Sequence, residues 1–314
     1  MTAYDQVIAL LVFPGLAFCV LAGFLFEWVD RKIYARLQNR MGPPWYQPAA
    51  DFLKLLAKED LLPGAANARM TNVMAVLAVA SAVTAVLYLP VGQATAALPF
   101  NGDLIVVLFF LTIPTVALFL SGWYSASPFG IVGAVRTARQ YLAYEIPLTL
   151  TLVAPAVLAG TWSVSGIVAF GQSKPWAIPA LAVGLIISLI TLQGKLERVP
   201  FDAPEAETEV VAGSVTELSG KRLAMFRLAT DIEMVAGALL IADLYLGGPS
   251  GPFPLGLLVM AAKALAVVFV LTCTRAIMAR LRTGQVIEFC WRVLVPVAAA
   301  QVGVVFVLRE VVSA

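Results

Sequence analysis

The sequence predicts an all-α, polytopic membrane fold of about eight transmembrane helices with one amphipathic helix on the cytoplasmic surface. Three observations predict it. Of 314 residues, 61% are hydrophobic and only 13% charged, about half the roughly 25% charged residues of a soluble domain. Apolar runs long enough to cross a bilayer recur along the chain. Basic residues crowd into alternate loops.

The expected spans are Val7–Trp28, Val73–Val91, Leu104–Tyr124, Glu145–Val168, Trp176–Leu192, Leu223–Leu246, Leu255–Ala276 and Phe289–Leu308. They make one transmembrane domain over residues 1–314, with cytoplasmic loops at about 29–72, 125–144, 193–222 and 277–288. The first run follows no basic n-region and has no small-residue cleavage site, so it is expected to stay as a membrane anchor. Arg31, Lys32, Arg36, Arg40, Lys54, Lys58, Arg69, Arg136, Arg139, Lys195, Arg198, Lys221, Arg222, Arg280 and Arg282 fall on one side. Only Lys174 and Arg309 fall on the other. The basic side is expected to be cytoplasmic, in the cell membrane, with both termini outside.

Composition also narrows the chemistry. There is no histidine, which removes the commonest metal ligand and catalytic base. Cys19, Cys273 and Cys290 are scattered without a CxxC pair and read as small buried hydrophobes. No metal, iron–sulfur or haem site is expected in this chain, and no catalytic centre. A net charge of +2 leaves no electrostatic footprint for nucleic acid. The lipid bilayer is the expected surrounding.

In the first loop, Ala49, Phe52, Leu53 and Leu56 recur at helical spacing between Ala49 and Asp60, with Asp51, Lys54 and Lys58 on another face. That pattern predicts a helix lying on the membrane surface. The stiff turn Gly42-Pro43-Pro44-Trp45-Tyr46-Gln47-Pro48 precedes it, with two aromatics at interface depth. The segment is an interfacial anchor or a docking ledge for a peripheral partner.

The loop after the fifth span carries Glu197, Asp202, Glu205, Glu207, Glu209 and Glu217 among four bases, with Val210, Val211, Ala212 and Val215 interspersed. Pro204 suits the first turn of a short helix, with acids following where the dipole favours them. Glu205 and Glu209, four apart, are expected to share a face and raise each other's pKa. Clustered carboxylates in a low-dielectric site cannot all ionise, so they exchange protons over coupled titrations. Glu145, Asp231, Glu233, Asp243 and Lys263 lie in or at the edge of apolar runs, with Asp103 at a helix start. Asp or Lys at a span centre costs about 2.5–3.5 kcal/mol on insertion scales, so such residues mark ion pairs between helices or a proton path.

Four stretches resemble one family along almost the whole chain: Asp30-Arg31-Lys32 through Arg40-Met41-Gly42-Pro43, Gln47 through Asp60, Tyr144-Glu145-Ile146-Pro147, and Arg198-Val199-Pro200-Phe201-Asp202-Ala203-Pro204-Glu205-Ala206-Glu207 on to Gly220. The chain resembles the membrane subunit at the heel of respiratory complex I. Its counterparts are the membrane subunits of energy-converting nickel–iron hydrogenases and formate hydrogenlyase. Gly42-Pro43 runs directly into Pro44-Trp45-Tyr46-Gln47, a shorter form than in quinone-reducing members. The shortening is similar to the hydrogenase branch and weighs against a quinone pocket.

The resemblance implies a coupling subunit of an ion-translocating oxidoreductase, of membrane-bound hydrogenase type. It implies that Arg31, Arg36, Arg40, Gly42, Pro43, Trp45, Gln47, Asp51, Lys54 and Lys58 lie in the region that seats the electron-transfer arm. An iron–sulfur small subunit and a hydrogenase-type large subunit are the partners on that side, and they contain the nickel–iron centre and the iron–sulfur clusters. Antiporter-like and small membrane subunits are the partners within the membrane. Glu145, Asp202, Glu205, Glu207 and Glu217 are implied in an acidic path towards them. The residues themselves add Glu209, Asp231, Glu233, Asp243 and Lys263. The alternatives are a quinone-binding subunit of a complex I-type dehydrogenase, a stand-alone secondary transporter, and a purely structural anchor.

Overall fold

The computed structural model describes residues 3–175 and 177–313, with side chains for 6–175, 179–206 and 209–310. All regular structure among them is helical. In chain order the α-helices are α1 (Ala3–Leu11), α2 (Leu16–Leu37), α3 (Gln47–Ala57), α4 (Ala68–Leu87), α5 (Asp103–Trp123), α6 (Pro128–Ala159) and α7 (Val164–Ser173). There follow α8 (Ala177–Ala180), α9 (Ala182–Lys195), α10 (Glu207–Val210), α11 (Gly220–Tyr245), α12 (Leu255–Ile277), α13 (Thr283–Phe289) and α14 (Val295–Ser313).

Among the described residues, six segments are long and apolar enough to cross a membrane: Gln6–Leu37, Ala68–Leu87, Asp103–Trp123, Pro128–Ala159, Leu255–Ile277 and Thr283–Glu310. The fifth and sixth expected spans fall outside that criterion for different reasons. α9 has 14 residues, about 21 Å of helix against roughly 30 Å of hydrocarbon. The expected start of this span, Trp176, lies outside the described residues. α11 is long, at 26 residues, but carries too many charges. It sits at the centre of the bundle, packed against α2, α3, α4, α5, α7, α9 and α12. Every residue from Ile232 to Tyr245 is buried, so its acids meet protein and not lipid.

Hydrogen bonds between loops fix the two ends of the bundle. At one end Arg222 donates to Asp60 and Asn72, Ser219 bridges to Leu61, Asn67 N bonds Tyr124 O, and Leu281 N bonds Pro200 O. At the other, Leu98 N bonds Leu87 O, Ala96 N bonds Ser165 Oγ, Leu104 N bonds Trp162 O, and Gln172 donates to Gly247 and Pro249. The connections after the first, third, fifth and seventh spans therefore gather at the same end, as the charge pattern predicts.

Most expected boundaries stop too early on the basic side. α2 runs on to Leu37, so Asp30, Arg31 and Arg36 are helical. The expected loop 125–144 is the first half of α6, which starts at Pro128 and carries Glu145 in mid-helix, not at a helix start. α6 ends at Gly160, whose φ of 71° closes the helix, so 164–173 is a separate helix. Lys195 is the last residue of α9, not a loop base. The last span begins at Thr283, in the expected loop 277–288. Hydropathy falls at the first charge, but a helix continues wherever protein partners receive its charged side chains.

Local chemistry explains the breaks. Pro14 lacks an N–H and separates α1 from α2. A Cβ on Gly15 would lie 1.9 Å from Leu10 O, so only glycine allows that close approach. Pro296 cannot donate to Arg292 O, and the turn before it widens into a π-helix at Cys290–Leu294. α3 matches the predicted surface helix but is rotated. Pro48, Asp51, Phe52 and Leu55 face the protein, whereas Leu53 is 63% exposed and is left for the lipid interface.

Labelling tests the expected orientation. In a Cys273→Ser background, Gln93→Cys is expected to react with an impermeant maleimide on intact cells, and Gly64→Cys only after permeabilisation. The reverse pattern would invert the topology.

Candidate functional site

A cavity of about 510 Å³ opens at the basic end, between α2, α3, α11 and the loop that follows α9. Phe24, Phe52, Leu55, Leu118 and Phe226 give it an apolar wall. Glu27, Arg31, Asp51, Glu197, Arg198, Asp202, Glu205, Arg227, Asp231, Arg275 and Arg280 supply charge.

The charges form a connected network. Arg31 pairs with Glu27 at 2.5 Å, one helical turn away, and with Asp51 on α3 at 2.8 Å. Gln47 donates to the other Asp51 oxygen. Burial disfavours an ionised Asp51, but the hydrogen bonds from Arg31 and Gln47 outweigh it and hold the carboxyl below its ordinary value. Arg198 reaches Glu27 at 3.3 Å and Asp30 at 3.1 Å. Asp30 is fully buried and also accepts from Thr272 at 2.6 Å and Arg275 at 2.9 Å, both on α12. Arg280 grips Asp202 through two hydrogen bonds of 2.8 and 2.6 Å.

α6 positions the carboxylate loop. Gln140 donates to Gly194 O and Phe201 O, and Gln193 donates to Val199 O. Arg136 reaches Ala203 O and pairs with Glu209 at 2.6 Å. Thr137 and Ser214 share a hydrogen bond. A Cβ on Gly133 would stand 2.4 Å from the backbone of Gly213, so these two glycines let loop and helix touch. The short helix expected at Pro204 forms three residues later, at Glu207. Pro204 O instead lies against Gly213, where a Cβ would meet it at 2.0 Å.

A smaller cavity of about 70 Å³ continues inward, lined by Pro114, Thr115, Lys195, Glu197, Glu205, Phe226 and Glu233. Glu197, Glu205 and Phe226 line both spaces. Beyond them Lys195, only 3% exposed, stands 3.5 Å from Glu233 and 3.7 Å from Glu145. Its ammonium lies over the Tyr144 ring and makes no hydrogen bond among the described residues. Burial, reinforced by the Glu205 carboxylate, pushes Glu197 up to about 8.

The structure thus brings together Asp202, Glu205 and Asp231 at the first cavity and Glu205 and Glu233 at the second, with Glu145 joined to the second only through Lys195. Glu209 does not share a site with Glu205, because Arg136 draws it to the surface. Glu217 lies outside both cavities, and the Glu207 side chain lies outside the described residues. Asp243 and Lys263 sit at the far end. Lys263 reaches the Leu246 and Gly248 carbonyls, so its depth in α12 is no bar to finding polar partners.

Of the docking residues, Arg31, Gln47 and Asp51 face inward into the network, contrary to Asp51's expected outer face. Arg36, Arg40, Trp45, Lys54 and Lys58 are exposed. Gly42 and Pro43 pack on α2, where Lys32 donates to Gly42 O and Trp28 to Pro43 O. Sequence reasoning counted Glu197 and Arg198 among the loop's acids and bases but omitted Glu27, Asp30 and Arg275 from the site. Glu27 and Arg31, spaced i,i+4, carried a readable signal. Asp30 and Arg275, 245 positions apart, did not.

A family model described as NADH dehydrogenase matches residues 8–306. The H subunit of the NADH-quinone oxidoreductase of Thermomicrobium roseum is 34% identical over 92% of this chain and 93% of that protein. Its counterpart in Bacillus cytotoxicus is 35% identical over 96% and 92%. A chain in the structure of the membrane-bound sulfane sulfur reductase, an archaeal respiratory membrane complex, superposes with a TM-score of 0.86. It is 29% identical over 96% of this chain and 99% of that chain.

Two substitutions probe this geometry. Because the folded protein holds the Glu197 proton up to about 8, against an ordinary value of 4.5, Glu197 erodes stability as pH rises between those values. Glu197→Gln is expected to flatten that loss in thermal unfolding of the solubilised protein; an unchanged slope would refute the assignment. Asp30→Ala leaves two arginines without their shared acid and is expected to cost about 3–5 kcal/mol, read as a lowered unfolding temperature.

Proposed function

As the chain belongs to the NADH dehydrogenase family of complex I membrane subunits, we propose that it is the membrane coupling subunit of a quinone-reducing respiratory complex. In this reading the 510 Å³ cavity receives the quinone head under the electron-transfer arm. The continuous run of ionisable groups inward from it passes the effect of reduction into the membrane. The single observation that carries the reading is the placement of that cavity. It lies between the first long helix and the surface helix, and it has an aromatic wall facing a charged one. The aromatic wall suits a flat ring, while the opposite wall carries far more charge than the few convergent polar groups of an ordinary small-molecule pocket.

A quinone supplies two-electron, two-proton chemistry when bound. The chain's own residues do the rest. Phe24 and Phe52, 5.6 Å apart, pack against the ring or its tail. Glu27, Arg31 and Arg198 set the field around the polar end. Charge appearing in the cavity alters the sharing of protons between Glu197 and Glu205, which line both spaces. That change reaches the Glu233–Lys195–Glu145 triad by electrostatics, because ion pairs at 3.5–3.7 Å without hydrogen bonds re-form at little geometric cost. The partners proposed are an electron-transfer arm on the basic side and antiporter-like subunits beside α6.

The second reading is the hydrogenase-type arm expected from the sequence. The compact Gly42–Gln47 turn favours it, and the likeness to a respiratory complex with another acceptor is compatible with it. The relatives from NADH-quinone oxidoreductases favour the first.

Purification through a tag on this chain in mild detergent separates the two. Bound quinone without nickel is the expected result; nickel with a hydrogenase large subunit would replace the first reading by the second. In the active complex Glu205→Gln is expected to leave electron transfer nearly intact while most ion movement per electron is lost. Normal coupling ratios in that variant would sink the relay.

A further inference from the structure

Away from both cavities, at the far end of α11, one acid has no hydrogen-bond partner. Asp243 is 1% exposed, and neither carboxylate oxygen has a hydrogen bond among the described residues. It lies twelve residues beyond Asp231, about 18 Å along the helix. The charged groups that act on it are Lys263 from α12 and Asp103 from α5. Asp103 is satisfied, because Val164 N donates to it at 2.6 Å and Ser163 at 3.4 Å.

Lys263 is satisfied only in part. Its ammonium donates to Leu246 O at 2.8 Å and Gly248 O at 2.6 Å, which leaves one of its three N–H groups unused. Gln172 takes the alternate carbonyls, Gly247 O at 3.0 Å and Pro249 O at 2.7 Å. Four successive carbonyls of the turn are thus shared between two side chains. Gly247 and Gly248, with φ of 75° and 56°, let the backbone present them in this way. The turn is fixed, one lysine proton is unassigned, and a bare carboxyl stands beside it beyond ion-pair contact.

A buried carboxylate without hydrogen bonds is too costly to persist. The carboxyl must hold a proton, or ionise with solvation from a bridging water and the spare Lys263 N–H. We propose that Asp243, assisted by Lys263, is a second proton-exchange site, serving the membrane face opposite the carboxylate cavity. The step is a plain acid dissociation: the Asp243 O–H bond breaks, the proton passes to a solvent water on the far face, where Ser250 is the first exposed residue beyond the turn, and the Lys263 ammonium balances the new carboxylate. No electron transfer enters, so the site stands or falls separately from the function proposed above.

The test uses the complex purified through this chain and reconstituted in one orientation in liposomes, with a pH step applied only on the far face. Infrared difference spectra are expected to show the carbonyl band of a protonated carboxylic acid that is lost as that pH rises. The band should vanish in Asp243→Asn and return, displaced, in Asp243→Glu. Lys263→Gln should move its midpoint to higher pH by about one unit or more. A band that survives Asp243→Asn, or that ignores the far-side step, would overturn the proposal. If Asp243→Asn does not assemble, an unmoved midpoint in Lys263→Gln overturns it instead.

Discussion

A carboxylate sealed from water must be satisfied entirely by protein, and Asp30 meets that demand with partners from two other parts of the chain. Thr272 and Arg275 come from α12, and Arg198 comes from the carboxylate loop. Asp30 itself rides on α2. The first long helix, the loop and the seventh crossing are therefore held at one point, and the cavity exists because they are held. Arg198 extends the tie to Glu27, and Glu27 extends it through Arg31 to Asp51 on the surface helix. A buried network of this kind adds little net stability, yet removing one member leaves the others unpaired in a low dielectric. Its worth lies in defining where the walls stand.

Inward from that point the pattern changes from close hydrogen-bonded pairs to looser contacts. Around Glu27, Asp51 and Asp202 the geometry is that of charge-assisted hydrogen bonds. Around Lys195 the nearest acids stand 3.5 and 3.7 Å away. The first region is built to keep its shape and the second to redistribute charge. Glu197, held at a φ of 49° that non-glycine residues seldom adopt, stands where the two meet.

Much of this architecture was legible in the sequence. Alternate loops rich in Arg and Lys fixed which connections share an end, and the inter-loop hydrogen bonds agree. The density of acids between Glu197 and Glu217 marked the loop that lines the cavity. Other features were not legible, for physical reasons. Helix ends on the basic side were misplaced because hydropathy registers the first charge and not the last helical residue. The rotation of α3 depends on Arg31 drawing Asp51 inward, a tertiary contact that periodicity does not encode. Asp30 read as the end of an apolar run, since its partners on α12 lie more than 240 positions away.

The central place of α11 bears on how the chain reaches the membrane at all. This helix carries Arg227, Asp231, Glu233 and Asp243, and each ionisable side chain near a span centre opposes insertion by about 2.5–3.5 kcal/mol. Leaving the translocon by itself, α11 would not partition into lipid. Its acids become tolerable only when α2, α4, α9 and α12 surround it, and α12 is synthesised after it. Insertion of α11 therefore depends on protein surfaces already made, such as α9 with the Lys195 that faces Glu233, and the Lys263 beside Asp243 arrives only with α12.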